Sequence, residues 1–307
     1  MRRNYLFEGS FAEGERLDLF VRNKLNFLSR SFIQTLVQQG DITVSEEKVR
    51  PSHRLKRTDL IRVEIPPASP EILEAEPIPL QIIWEDDSLL VLNKPAGMIV
   101  HPTRLEQKGT LVNALIYYSP HLSQVSGPLR QGIVHRLDRG TSGIMVVAKN
   151  DLIHLALSAQ FRKREVRKIY LALVRGVPRR NEGVIEARIA RSPRAGNKMI
   201  LTQTGRESIT HFKVVNTWAE KWSLLELHPL TGRTHQIRIH LRFVGCPVVG
   251  DRVYGGKKEK FPRKIERVYL HAKTLGFYHP LRKEWMQFET PLPEDMQEAI
   301  KFLGEGE

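Results

Sequence analysis

The sequence predicts an α+β protein of two unequal parts: a large strand-rich domain with interspersed helices, preceded by a small helix-and-strand domain. Three observations carry this expectation. A proline- and glutamate-rich stretch interrupts the chain near residue 70, helical spacing of apolar residues dominates before it, and short apolar or alternating runs dominate after it. With 307 residues, 41% hydrophobic and 27% charged, the chain has the composition of a globular protein long enough to bury a core.

The interruption spans Pro66 to Pro79, with five prolines, three glutamates and no basic residue. Proline fixes φ and disfavours helix in its neighbour, so the segment reads as a stiff, extended linker. The expected division is a small domain over 1–67, a linker over 68–80 and a large domain over 81–307. In the small domain, Leu17, Phe20, Val21 and Leu25 share a helical face. Ser31 is the expected N-cap of a second helix with Phe32, Ile33, Leu36 and Val37 inward, and Gly40 its C′ residue. Ile42 and Val44, then Ile61, Val63 and Ile65, alternate as strands do.

In the large domain, Ile82–Trp84 and Leu89–Leu92 flank Asp86-Asp87-Ser88, a hairpin signal. Ile144–Ala148 reads as a buried strand, and Asp151 as the cap of a helix running to Phe161. Strands are predicted at Ile169–Val174, Val184–Ile189, Ile209–Val215, Leu224–Leu227, Leu270–Phe277 and Trp285–Phe288. Ile237, Leu241 and Val244 suit a helix ended by Gly245.

Forty-eight Lys and Arg against 34 Asp and Glu give a net charge of +14, which favours a polyanionic partner, and nucleic acid is the commonest. The small domain carries +3, the linker −3 and the large domain +14, so the nucleic-acid groove is expected on the large domain. A single cysteine, Cys246, excludes an internal disulfide and a cysteine-based zinc site, and reads as a small buried residue. The spacing of His235 and His240 does not suit two ligands on one helical face, so no metal and no cofactor are expected. The N-terminus has no signal-like apolar run and no stretch is fit to span a bilayer, so the expected location is the cytoplasm, with no membrane partner.

The densest chemical signal is Gly132-Ile133-Val134-His135-Arg136-Leu137-Asp138-Arg139-Gly140-Thr141-Ser142-Gly143, leading straight into a strand. An aspartate flanked by arginines is expected to keep its charge, and an ionised carboxylate is competent as a nucleophile. Local chemistry fits an Asx-turn with surface ion pairs equally well. Tyr170 follows the basic cluster Arg162, Lys163, Arg164, Arg167 and Lys168 on a strand, where by itself it would read as a core tyrosine. Thr231-Gly232-Arg233-Thr234-His235-Gln236-Ile237-Arg238-Ile239-His240-Leu241 places polar groups at a helix start, where Arg238 by itself would read as a surface ion-pair partner. His101 and His135 are expected to be loop hydrogen-bonders.

Taken in series, these three segments resemble the RluA/RluC/RluD family of ribosomal large-subunit pseudouridine synthases. Asn93-Lys94-Pro95-Ala96-Gly97-Met98-Ile99-Val100-His101-Pro102, Val249-Gly250-Asp251-Arg252-Val253-Tyr254-Gly255-Gly256 and Leu270-His271-Ala272 add further matches, and the resemblance covers essentially the whole chain in the correct order. Pro79–Asp86, Asn113–Tyr118 and the Val249-Gly250-Asp251 turn are most similar to the RluD branch. Arg16-Leu17-Asp18, Ser29-Arg30-Ser31 and Gly40-Asp41-Ile42-Thr43-Val44 resemble a small αL-type RNA-binding module. The chain departs from that module at Ser45-Glu46, where the family has Asn-Gly, and at Thr58-Asp59, where it has Gly-Asp, so differently shaped turns are expected there.

The resemblance implies a mixed, mainly antiparallel central β-sheet flanked by helices and loops, a monomeric enzyme and no cofactor. It implies isomerisation of uridine to pseudouridine in 23S ribosomal RNA, the large-subunit RNA being the expected partner, by an aspartate nucleophile and base flipping. Asp138 would be the nucleophile, with attack on the sugar, attack on the ring and assisted elimination all open to it. Arg136 would occupy the gap left by the flipped uridine, Tyr170 would pack on the base and remove its proton, and Arg238 would pair with the catalytic carboxylate. Arg139, Arg30, Lys168 and Arg233 are the further RNA-binding candidates. Two alternatives share the charge pattern: an RNA-binding ribosome-assembly factor, and the same chemistry on transfer RNA. A metal-dependent nuclease would need several convergent carboxylates, and the basic motifs supply only Asp138.

Overall fold

The computed structural model describes residues 3–9, 11–25, 28, 30–65, 73–103, 106–193, 198–256, 261–262 and 264–305. The chain divides into two compact units, Met1–Glu71 and Ile72–Glu307.

In the first unit, strand β1 (Arg3–Glu8), helices α1 (Leu17–Lys24) and α2 (Arg30–Gln39), and strands β2 (Ile42–Val44) and β3 (Leu60–Ile65) follow one another. The sheet order is β1-β3-β2, antiparallel throughout. Helical spacing directs Leu17, Phe20, Val21, Leu25, Ile33, Leu36 and Val37 into one core with Ile42, Val44, Ile61 and Val63. The side chain of Phe32 lies outside the described residues. Gly40 ends α2 with φ 88°, its N–H donating to the Leu36 carbonyl at 3.0 Å. Ser31 is not the N-cap, because α2 already begins at Arg30. The periodicity of the apolar residues locates a helix better than it locates its first residue.

The Ser45-Glu46 turn keeps a shape that Asn-Gly would favour. Both residues have positive φ, 49° and 68°, and Val44 and Glu47 exchange backbone hydrogen bonds of 3.0 and 2.9 Å across the turn. That is a two-residue hairpin with both central residues left-handed, so the expected difference in turn shape is absent here. Strand β1 has no signal of its own in the sequence, since it is defined by pairing with β3 across more than fifty residues of chain, Tyr5 lying opposite Val63.

The second unit runs β4 (Gln81–Glu85), β5 (Leu89–Lys94), α3 (Leu111–Tyr118), β6 (Ser142–Ala148), α4 (Asp151–Lys163), β7 (Arg167–Arg175), β8 (Glu182–Arg191), β9 (Met199–Leu201), β10 (Arg206–Trp218), β11 (Trp222–Pro229), α5 (Gln236–Phe243), β12 (Leu270–Tyr278), β13 (Trp285–Glu289) and α6 (Glu294–Glu305). One sheet contains all of its strands, in the order β4-β5-β6-β12-β7-β11-β10-β8-β9, with β13 pairing β12 off that path. Among the described residues, only β6 and β12 pair in parallel, through His271 opposite Ser142 and Ala272 opposite Gly143. The sheet is therefore mixed and mainly antiparallel.

Gly143, at φ 121°, is required at that junction, because a Cβ there would collide with the Ala272 backbone. Asn150, not Asp151, caps α4, accepting from the Ile153 N–H at 3.0 Å. Asp151 instead accepts from Ser123 Oγ at 2.7 Å, which holds the loop before β6. Helix α6 is an addition to the elements expected from sequence, yet Met296, Ala299 and Leu303 recur at helical spacing and cover Leu171, Leu173, Trp218 and Leu224. Of the expected linker, residues 73–80 lie on the second unit: Asn113 donates to the Glu74 carbonyl at 2.8 Å, and Glu76 accepts from the Gly109 N–H at 2.8 Å.

Candidate active site

A cavity of about 430 Å³ opens between the loop before β6, the end of α4, the start of β7 and the start of α5. Its lining includes Arg136, Asp138, Lys168, Tyr170, Arg233 and Arg238, six of the eight residues singled out from the sequence. Arg139 is outside it, exposed and ion-paired with Glu106. Arg30 belongs to the first unit, and its side chain is outside the described residues.

The loop carrying Asp138 is fixed on both sides. Leu137 is buried and packs into the apolar cluster with Leu92, Val112 and Met145. The Thr141 N–H donates to the Asp138 carbonyl at 3.1 Å, and the Gly97 N–H to the Arg139 carbonyl at 2.8 Å. His135 Nε2 accepts from the Val146 N–H at 3.0 Å, and its ring stacks on Phe161 at 4.5 Å. Burial, then the charge of Lys168, lowers the His135 pKa to about 3, so the ring is neutral and suited to accepting. His135 thus has the loop hydrogen bond expected of it. His101 departs from expectation, its buried Nδ1 having no partner among the described residues.

Asp138 keeps 18% of its side chain exposed to the cavity, and its Oδ2 accepts from Arg238 Nη1 at 3.1 Å. Arg238 is 8% exposed and comes from the first turn of α5. Its plane is set by Asp251, which is fully buried and takes Nε at 2.7 Å and Nη2 at 2.9 Å. Such a bidentate pair leaves Nη1 aimed at Asp138. Asp251 Oδ1 also accepts the Val253 and Tyr254 N–H groups at 2.9 and 3.0 Å, so its own position is determined by the turn. Burial opposes the charge on Arg238, but hydrogen bonding and charge from Asp251, then Asp138, outweigh it and raise its pKa. For Asp251, burial likewise opposes ionisation and Arg238 overcomes it, so its pKa is lowered. The Tyr254 ring lies 5.2 Å beneath the Arg238 guanidinium, and its hydroxyl meets His235 Nδ1 at 3.0 Å.

The start of α5 is held by Gln236. Its Oε1 accepts from Thr231 Oγ1 at 2.7 Å and from the Arg233 N–H at 3.0 Å, and its Nε2 donates to the Ile209 carbonyl at 3.0 Å. Tyr170 projects from β7, between Leu227 of β11 and Ala272 of β12. Burial, then the negative charge of Asp138, pushes its phenol pKa well above the ordinary value, so the phenol carries its proton at neutral pH. Arg136 is exposed at the cavity and has no acidic partner among the described residues.

Sequence reading misses two groups near this site. Asp251 has a signal only as part of a matching turn, because its partner is thirteen residues away and on another element. Lys94 is fully buried, with Nζ donating to the Pro95 and Met98 carbonyls at 2.7 and 2.8 Å. Burial lowers its pKa to about 7 against the opposing charge of Asp138. Among the described residues no three His, Cys, Asp or Glu side chains converge as metal ligands. His228, His240, His271 and His279 are engaged with Glu226, Ser208, Ser142 and Asp86 respectively.

The RNA pseudouridylate synthase family matches residues 88–243, and the S4 domain matches residues 15–61. An uncharacterised RNA pseudouridine synthase of Aquifex aeolicus is 41% identical over 302 residues, covering 96% of this chain and 95% of its own. A ribosomal large subunit pseudouridine synthase D of Zymomonas mobilis is 39% identical, with 94% of each chain covered. Among solved structures, human RNA pseudouridylate synthase domain containing 4 superposes with a TM-score of 0.57 at 25% identity, covering 73% of this chain and 93% of its own. The chain belongs to the RNA pseudouridylate synthase family. It is an isomerase that acts on RNA and carries an N-terminal S4 domain.

Proposed function

We propose that the chain converts uridine to pseudouridine in large-subunit (23S) ribosomal RNA, with Asp138 as the nucleophile. The observation that carries this reading is the Asp138–Arg238 pair at 3.1 Å inside a cavity that also holds Tyr170. The ribosomal target rests on relatives from Zymomonas mobilis, Xanthomonas campestris and Neisseria meningitidis named ribosomal large subunit pseudouridine synthase D, at 39, 37 and 37% identity. We place the protein in the cytoplasm as a monomer; no helix of the described residues is long and apolar enough to cross a membrane.

In the reaction the bond from ribose C1′ to uracil N1 breaks and a bond from C1′ to C5 forms. C5 loses a proton and N1 gains one, so neither oxidant nor nucleoside triphosphate is consumed. A stacked uridine is out of reach of Asp138 and must be extruded, at about a few kcal/mol. Arg136, exposed and without an acidic partner among the described residues, fills the vacated space, where a planar guanidinium restores stacking and meets phosphate. Asp138, held by Arg238, assists departure of the base and keeps C1′ in reach while the ring turns. Tyr170 packs on that ring. Because its phenol is held protonated, removal of the C5 proton by its phenolate is the pH-sensitive step. Lys168 and Arg233, at the cavity wall, draw in the RNA backbone.

The test is a map of pseudouridines across ribosomal and transfer RNA from cells with and without the gene. One or more 23S positions should disappear and return on complementation. Loss confined to transfer RNA would move the substrate assignment, and an unaltered map would remove it.

A further inference from the structure

One flank of the cavity carries more positive charge than Lys168 and Arg233 alone supply. Arg164 ends α4 in the left-handed region, φ 63° and ψ 29°, a position where glycine is the unstrained residue. The same helix end supplies Phe161 and Arg162 to the cavity lining. Arg206 opens β10, opposite Ile189 of β8. Arg233 lines the cavity, and its Nε donates at 3.1 Å to the carbonyl of Glu207, the residue after Arg206. Three separate elements thus place Arg164, Arg206 and Arg233 close enough together for the first two to act on the charge of the third.

These charges press on one another. The Arg233 pKa is lowered by burial, then by Arg206 and Arg164, with Glu207 opposing. The Glu207 carboxylate is itself engaged by Arg188 at 2.9 Å. Lys168 is pushed down to about 8 by burial and by Arg164. Among the described residues, neither Arg164 nor Arg206 has an acidic partner. A like-charged cluster of this kind destabilises the free protein, and an arriving anion relieves it. The guanidinium fork matches phosphate oxygens in both spacing and plane.

We propose that Arg164, Arg206 and Arg233 form a clamp for the RNA backbone phosphates flanking the extruded uridine. The assignment rests on the reading that a uridine enters this cavity. Phosphate contacts of this kind set register and carry no sequence information of their own. The clamp would hold the strand along that flank of the cavity mouth while one base leaves the stack. The strained backbone at Arg164 fits this role, since glycine would relieve the strain but bring no charge.

That strain supplies a test in which folding and binding move apart. In Arg164→Gly the melting temperature should stay or rise, while RNA affinity falls. For Arg164→Gly and for Arg206→Gln, the slope of log affinity against log salt should drop by about 0.7 to 0.9 for each phosphate that the variant no longer neutralises. A second arm replaces the phosphate on either side of the modified uridine with a neutral methylphosphonate, in an RNA that the wild type modifies. This should lower kcat/KM for the wild type by about tenfold and for the Arg164→Gly/Arg206→Gln double variant by much less. Unchanged salt slopes in both single variants, or equal methylphosphonate penalties in wild type and double variant, would overturn the clamp. A wild-type chain that binds RNA with full salt dependence but makes no pseudouridine would instead sink the uridine-cavity reading, and the clamp with it.

Discussion

Arg238 serves two carboxylates with different duties. Asp251, wholly buried, takes two of its nitrogens and fixes the plane; Asp138, reached by the third, stays open to the cavity. Tyr170 makes the sharpest prediction at this scale. Its phenol pKa is raised by burial and by Asp138. A base of this kind is active only when deprotonated, and that fraction grows about tenfold per pH unit below its pKa. At saturating RNA, kcat should therefore rise with pH between about 6 and 9, and Tyr170→Phe should lower kcat by at least about 10²-fold and flatten the profile. A wild-type profile already flat over that range would restrict Tyr170 to packing on the base. Lys168, with a pKa of about 8, loses charge over the upper part of the range, so KM should rise there while kcat does not follow it.

At the scale of elements, the Ser45-Glu46 turn holds two non-glycine residues at positive φ, each costing about 1 kcal/mol. Ser45→Asn with Glu46→Gly should stabilise the first unit by about 1–2 kcal/mol, read as a higher denaturation midpoint. A midpoint unchanged or lowered would mean that the backbone there carries no strain. The side-chain interactions these substitutions remove are minor: a 3.3 Å bond from the Leu60 N–H to Ser45 Oγ, and an exposed Glu46–Arg62 pair at 3.7 Å. The elements legible in the sequence are those whose own residues bury them, such as β6, buried at every position, and α2 with Ile33, Leu36 and Val37. Strand β1 and the parallel pairing of β6 with β12 are not legible, because their defining partners are distant in the chain. The cap of α4 lies one residue from its expected place because Asn and Asp stand side by side, and only the fold shows that Asp151 is engaged by Ser123.

Over the whole molecule, charge and chemistry are distributed differently. The net +14 is spread mainly over residues 81–307, so RNA affinity draws on many side chains. In the proposed reaction, bond breaking depends on one carboxylate held by one arginine. Motif order makes Asp138, Tyr170 and Arg238 legible as a set, yet sequence does not reveal Asp251, whose pairing with Arg238 exists only once α5 meets the following turn. Nor does it show that Arg139 is tied to Glu106 while Arg136 is left open at the cavity.

The most direct measurement compares wild type with Asp138→Asn in single-turnover conversion of a 23S RNA fragment, alongside the affinity of each for that fragment. Asparagine preserves the shape of the side chain and removes its charge. Pseudouridine formation should vanish, with affinity held within about threefold, a difference below about 1 kcal/mol. Product formed by the variant at the wild-type rate would contradict the assignment of the reaction to this carboxylate.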